Sequence, residues 1–197
     1  EHVGPLPTET VGVVGLGRIG SAFARRMRAF EVELIAFDPY IPDSAFEAVG
    51  ASSVSFEDLL DRSDYVSVHM PLNEETYHLF DEAALRKMKR TAYLINTSRG
   101  PILVEDALVQ ALQAHTIAGA GLDVFEVEPT PADNPLLKMD NVMVTPHSAG
   151  TSDRSNIAVQ VQVGEETARL LRGTFPMSIV NPEVRHRITA RPAGLNA

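Results

Sequence analysis

Thr10-Val11-Gly12-Val13-Val14 is a short apolar run, and Gly15-Leu16-Gly17-Arg18-Ile19-Gly20 follows it directly. The run predicts a buried parallel strand. The six residues after it match G-x-G-x-x-G, a weak pattern alone. Here it follows a predicted strand and opens a predicted helix over 19–29, which is the context a dinucleotide-binding turn requires. Gly15 permits the tight turn, Gly17 presents no side chain to a pyrophosphate, and Gly20 lets helix and strand pack closely. The helix N-terminus offers free N–H groups and partial positive charge, and Arg18 adds a phosphate contact. The competing reading is a glycine turn that only tightens a strand–helix unit.

Working outward, Leu34 to Phe37 predicts a second strand, stopped by Asp38-Pro39. Asp38 stands where a ribose-binding acid belongs. Its carboxylate accepts from both ribose hydroxyls and repels a 2′-phosphate, which favours NAD over NADP. Further strands are expected at 65–68, 92–95, 117–122 and 142–144, with helices at 56–60 (Ser55 as N-cap), 81–88, 104–113 and 152–172. The alternation implies an α/β fold: a doubly wound, Rossmann-type parallel sheet with right-handed crossovers.

Bulk properties bound the function. The chain has 197 residues, 44% hydrophobic and 22% charged, with a net charge of -9 and no cysteine. That charge argues against nucleic acid as a partner. The lack of cysteine excludes disulfides and thiolate chemistry, and fits a cytoplasmic setting. No apolar run is long enough to span a bilayer, so no membrane partner is expected. His2, His78, His115 and His186 form no ligand-spaced set, and no metal site is expected.

Three residues carry the chemistry of a carbonyl-reducing site: Arg99 in Asn96-Thr97-Ser98-Arg99-Gly100, Glu128 in Phe125-Glu126-Val127-Glu128-Pro129, and His147 in Thr145-Pro146-His147-Ser148-Ala149-Gly150. Each follows a predicted strand, where open α/β sheets place ligand-contacting residues. A guanidinium makes a two-pronged contact with a carboxylate and polarises an adjacent carbonyl. An imidazole moves a proton, and a glutamate beside it fixes the ring and stabilises its charged form. Taken singly, Arg99 reads equally as a surface arginine and His147 as a capping or core histidine. Glu126 is expected to be a solvated loop charge.

These stretches, with His69-Met70-Pro71-Leu72 and Gly121-Leu122-Asp123-Val124, resemble in order the signatures of the D-isomer-specific 2-hydroxyacid dehydrogenases. The resemblance covers about residues 10–182. It implies hydride transfer between NAD(H) and a small 2-hydroxy or 2-keto acid. His147, paired to Glu128, is then the acid/base, and Arg99 binds the substrate carboxylate and carbonyl. Related formate dehydrogenases carry glutamine where this chain has Glu128, so glutamate points to a hydroxy acid. Asp123 is implied beside the nicotinamide carboxamide and Thr76 beside the cofactor, although Asn73 departs from the family's first threonine. The full cofactor set is Gly15, Gly17, Arg18, Ile19, Gly20, Asp38, Pro39, Pro71, Thr76, Thr97, Ser98, Asp123, His147 and Gly150. His69 is expected to pack on the adenine side, outside the chemistry.

The expected organisation is a linker over 1–9, a dinucleotide-binding domain over 10–173, and a tail over 174–197 that belongs to a second, smaller substrate domain. The segment ahead of residue 1 that completes that domain in relatives is not in this sequence, so NAD binding with poor turnover is expected of the chain alone. A homodimer is implied by the resemblance. The alternative is a non-enzymatic, NAD-responsive corepressor of the C-terminal-binding type, which shares fold and site residues. A bare dinucleotide-binding regulatory module leaves Arg99, Glu128 and His147 unexplained.

Overall fold

A computed structural model describes residues 8–183. Most of the expected linker, the end of the tail, His2 and His186 lie outside the described residues. The chain divides into two compact units, Glu1–Ala149 and Gly150–Ala197.

The first unit is built on seven strands: β1 (Thr10–Val14), β2 (Glu33–Phe37), β3 (Ser52–Ser53), β4 (Tyr65–Val68), β5 (Tyr93–Asn96), β6 (Gly119–Leu122) and β7 (Val142–Val144). All neighbours pair in parallel, in the order β3-β2-β1-β4-β5-β6-β7. The order reverses at β1, which lies between β2 and β4. Ligands of doubly wound sheets bind beyond the carboxyl ends of the strands at such a reversal.

Helices α1 (Arg18–Met27), α2 (Asp43–Val49), α3 (Phe56–Arg62), α4 (Glu82–Lys87) and α5 (Glu105–Gln113) supply the crossovers. The strand period of two sorts side chains between two cores. Val11 and Val13 of β1, with Leu34 and Ala36 of β2, pack with Ala24, Phe46 and Val49 of α1 and α2. Val14 and Ile35 join the opposite cluster with Leu59, Leu60, Leu85, Leu108 and Leu112 of α3, α4 and α5. β1 is buried along its whole length, which is why it reads as a continuous apolar run. Ser55 caps α3 as expected, and Asp81 caps α4.

Two elements were not expected. α2 and β3 fill 43–53, which sequence reading passes over. β3 is two exposed serines, too short and too polar to show alternation, and it exists because Ala36 of β2 pairs with Ser53. The strand expected at 117–122 begins only at Gly119; elsewhere boundaries move by a residue or two, as helix and strand ends do.

The second unit carries α6 (Asp153–Leu171), opened by a capping box in which Ser152 and Ser155 each accept from the other's amide.

Gly12 shows how tightly α3 lies under β1. A Cβ there would stand 2.2 Å from Ser63 Oγ and 2.7 Å from Leu59 Cδ2. Gly12→Ala is expected to cost about 1–3 kcal/mol by overpacking, read as a fall in the urea midpoint without a change in slope.

Candidate active site and cofactor cradle

The turn after β1 is shaped by its glycines. Gly15 adopts φ 92°, in the left-handed region, and its N–H donates to Phe37 O at 2.8 Å. A Cβ on Gly20 would fall 2.0 Å from Gly15 O, so α1 meets the turn with no space for a side chain. Gly17, by contrast, faces open space. It caps α1 without a side-chain acceptor, and no acid occupies the first turn of that helix. The result is a concave set of amides at a positive helix end, which suits a pyrophosphate. Arg18 and Ile19 are both exposed on that first turn.

Asp38, at the end of β2, ties this turn to its own strand. Its Oδ2 accepts from Leu16 N at 2.9 Å and its Oδ1 from Tyr40 N at 3.0 Å. Pro39 lies exposed beside it, and the exposed Tyr40 phenol hydrogen-bonds Glu75 from the loop after β4. Sequence reading missed that bridge, since nothing local links positions 35 residues apart.

In the loop after β4, Thr76 spends its hydroxyl internally. It donates to Pro71 O at 2.6 Å and accepts from Asn73 N at 2.9 Å. Asn73 Oδ1 accepts from the amides of Glu75 and Thr76. The asparagine that departs from the family pattern therefore builds an Asx-type turn. His69 is half-buried, packs its ring 5.1 Å from that of Phe23, and hydrogen-bonds Ser67 Oγ at 3.0 Å. Burial pushes its pKa down to about 4, so it is neutral at pH 7.

Beyond β5, the fully buried Asn96 folds the Thr97-Ser98-Arg99 loop. Its Nδ2 donates to Arg99 O at 2.9 Å, and its Oδ1 accepts from Ser98 N and Ser98 Oγ. Arg99 is exposed, with Nη1 donating to Ser98 O. A Cβ on Gly100 would stand 1.8 Å from Phe125 O, so this loop sits directly on the one after β6.

That second loop carries Glu128. Its Oε1 accepts from Phe125 N at 3.0 Å, and its Oε2 lies 2.7 Å from His147 Nδ1. The hydrogen bond with His147, the Phe125 amide, and the charges of His147 and Arg99 hold its carboxyl below the usual range against a smaller push from burial. His147 sits at φ 50°, its N–H donating to Asp123 O at 2.8 Å and more weakly to Thr145 O. A cavity of about 510 Å³ opens in front of the pair, lined by Asp123, Phe125, Glu128, Thr145 and His147 among others.

Asp123 is 3% exposed and gathers the turn that holds His147. Its carboxylate accepts from Thr145 Oγ1, Ser148 N and Ala149 N. Most of its acceptor capacity is thus used inside the protein, where the resemblance implied a cofactor contact. Gly150 opens the second unit, where its carbonyl accepts from Ser155 Oγ.

One expectation is corrected. Glu126 is not a solvated loop charge: it is half-buried and paired to His78 Nε2 at 2.8 Å, and its carboxylate and that of Glu105 each accept from the other's backbone amide.

Residues 2–149 match the family described as "D-isomer specific 2-hydroxyacid dehydrogenase, NAD binding domain". The chain belongs to this family. It is 46% identical over 185 residues to a glyoxylate reductase of Korarchaeum cryptofilum, covering 94% of this chain and 55% of that protein. It is 42% identical over 173 residues to a D-3-phosphoglycerate dehydrogenase of Bacillus subtilis, covering 88% of this chain and 33% of that protein. Among solved structures, D-lactate dehydrogenase with NAD+ from Lactobacillus jensenii superposes with a TM-score of 0.83 at 31% identity, over 90% of this chain and 57% of that one. The chain thus spans about half the length of the glyoxylate reductase and a third of the phosphoglycerate dehydrogenase.

The Asp123 network gives a signed pH dependence. Burial raises its pKa, but hydrogen bonds from Thr145, Ala149 and Ser148 and the charge of His147 outweigh it, leaving the carboxyl below its ordinary 3.8. A depressed folded pKa contributes stability that is complete above 3.8 and is lost as pH falls through the lower, folded value. Asp123→Asn is therefore expected to lose about 1–3 kcal/mol at neutral pH. It should also flatten the acid limb of a plot of urea midpoint against pH.

Proposed function

We propose that this chain is the cofactor-binding part of an NAD-dependent dehydrogenase that interconverts small 2-hydroxy and 2-keto acids, with Arg99, Glu128 and His147 at its reacting end. The observation that carries this is the 2.7 Å contact between His147 Nδ1 and Glu128 Oε2 at the mouth of the cavity, within the field of Arg99.

With Nδ1 committed to Glu128, Nε2 is the nitrogen left for a substrate oxygen. In reduction His147 gives that oxygen a proton, and in oxidation it takes the hydroxyl proton back. Glu128, held ionised, compensates the imidazolium and keeps the ring oriented. Arg99 pairs with the substrate carboxylate through two parallel N–H bonds and draws charge from the adjacent carbonyl. The nicotinamide, when bound, supplies or accepts the hydride. Hydride and proton together convert C=O to CH–OH, so the step balances.

For the cofactor, the amides of Gly17, Arg18 and Ile19 would hold the pyrophosphate, with Gly15 and Gly20 shaping the turn. Asp38 would accept from the ribose beside Pro39. Pro71 and Thr76 would border the dinucleotide through their loop, and Thr97, Ser98 and Asp123 would border its nicotinamide half. Asp38 and the nearby Glu75 both disfavour a 2′-phosphate, which supports NAD over NADP. The substrate range is a small keto or hydroxy acid, in keeping with relatives named for glyoxylate, phosphoglycerate and lactate.

A homodimer fits two exposed apolar features. Edge strand β7 presents Met143, 75% exposed, and Val144. α6 presents Ile157 and Val161 at helical spacing on one side, and Val159 and Val163 on another. Light scattering at working concentration should return twice the chain mass; a monomer mass counts against this part.

The catalytic assignment is tested on a chain extended at its front, by NADH absorbance over a panel of 2-keto acids. His147→Ala should lower kcat about 10²–10⁴-fold while NAD affinity stays within about twofold. Retained turnover would remove His147 from the role. Absence of turnover on every acid tested, with NAD-driven assembly instead, would favour the corepressor reading.

A further inference from the structure

We propose that His78 and Glu126 are positioning residues: their side-chain hydrogen bond clasps the loop that carries Arg99 to the loop that carries Glu128, and thereby sets how Glu128 meets His147. This rests on the reading of Glu128 and His147 as a working pair.

Four observations converge on the clasp, all within the first unit. His78 donates its N–H to Pro101 O at 2.9 Å, two residues past Arg99, and its Nε2 lies 2.8 Å from Glu126 Oε1, two residues before Glu128. One residue therefore touches both loops. His78 is held for this at φ 56°, in the left-handed region, with its ring stacked on Tyr77 at 3.8 Å between centroids.

Second, Glu126 and Glu105 are locked reciprocally. Glu126 Oε2 accepts from Glu105 N at 3.1 Å, and Glu105 Oε2 accepts from Glu126 N at 2.9 Å. Third, Glu105 Oε1 accepts from Asn134 Nδ2 at 2.6 Å, and Asn134 is buried. The segment 126–134 is thus tied at both ends to the first residue of α5, with Glu128 between the ties. Fourth, Gly100 rests against Phe125 O, and Phe125 N in turn donates to Glu128 Oε1. A continuous path runs by polar contacts from Pro101 through His78 to Glu126, one residue along the backbone to Phe125, and by its amide to Glu128.

The physical need is clear from exposure. The side chains of His147 and Glu128 are 50% and 36% exposed, and a pair so open to water contributes little and does not fix its own geometry. The more buried His78–Glu126 pair, cross-linked to a helix start, is better placed to hold the loop. His78 and Glu126 touch none of the reacting atoms and act only through Glu128.

The test reads the ring of His147 itself. Long-range 15N–1H spectra of this chain report which ring nitrogen carries the proton in neutral His147. Glu128 at Nδ1 favours the Nδ1–H form, whereas a free imidazole favours Nε2–H. Glu128→Ala should return His147 to the free preference. His78→Asn, which tolerates the left-handed backbone but falls short of Glu126, and Glu126→Ala should each lower the Nδ1–H to Nε2–H ratio roughly twofold or more. His78→Gln, whose amide reaches Glu126, should restore it. Unchanged amide shifts of β1 and β5 in the same samples show that the variants fold. A shift with Glu128→Ala but none with His78→Asn or Glu126→Ala overturns the clasp and leaves the dyad standing. No response even to Glu128→Ala overturns the dyad, and the clasp with it.

Discussion

A parallel sheet leaves the amides beyond its carboxyl edge without strand partners, and in this domain short acidic and amide side chains collect them. Asp38 takes the amides of Leu16 and Tyr40, Asn73 those of Glu75 and Thr76, Asn96 that of Ser98, Asp123 those of Ser148 and Ala149, and Glu128 that of Phe125. Buried backbone donors must be paired. The pairing of these donors decides where Arg99, Glu128 and His147 stand. Loops that would otherwise vary are tied down along this edge, and the same carboxylates give it a negative character into which Arg99 and the positive start of α1 are set.

His69 and His147, both near that edge, show how burial sorts roles. His69 lies under the turn, packed on Phe23 with a single hydroxyl partner, and desolvation keeps it neutral. It is a packing residue with a polar edge. His147 stands in the open, with a carboxylate on one nitrogen and the other left over. A proton-transfer group needs water or substrate access on one side and an orienting partner on the other, and of these two it is His147 that has both.

What could be read from the residues follows the length of the signal. β1, the glycine turn and α1 form one contiguous pattern, and each glycine has its own geometric reason. The strand–helix alternation announces the parallel sheet, and the ordered signatures lead to the family that residues 2–149 match. α2 and β3 escape because a seven-residue helix and a two-serine strand offer too few positions for periodicity, and pairing with β2 creates β3. The side-chain uses of Glu126 and Thr76 escape for another reason. Glu126 meets His78 across 48 positions, and Thr76 turns back on Pro71. Both are settled by tertiary contact, which composition and spacing do not encode.

The energetics separate what builds the site from what the site is for. Asp123 is buried with several donors, so its removal takes the acceptor from two amides and a hydroxyl at once, and the penalty falls on the fold. Glu128 and His147 are the reverse case. Their contact is short but largely solvated, and such a pair adds little to stability. The fold therefore carries the dyad and the dyad does not carry the fold. Selection on stability alone has little hold on a glutamate and a histidine at this rim. Their placement together, at bonding distance in front of a cavity, is what the proposed proton transfer requires.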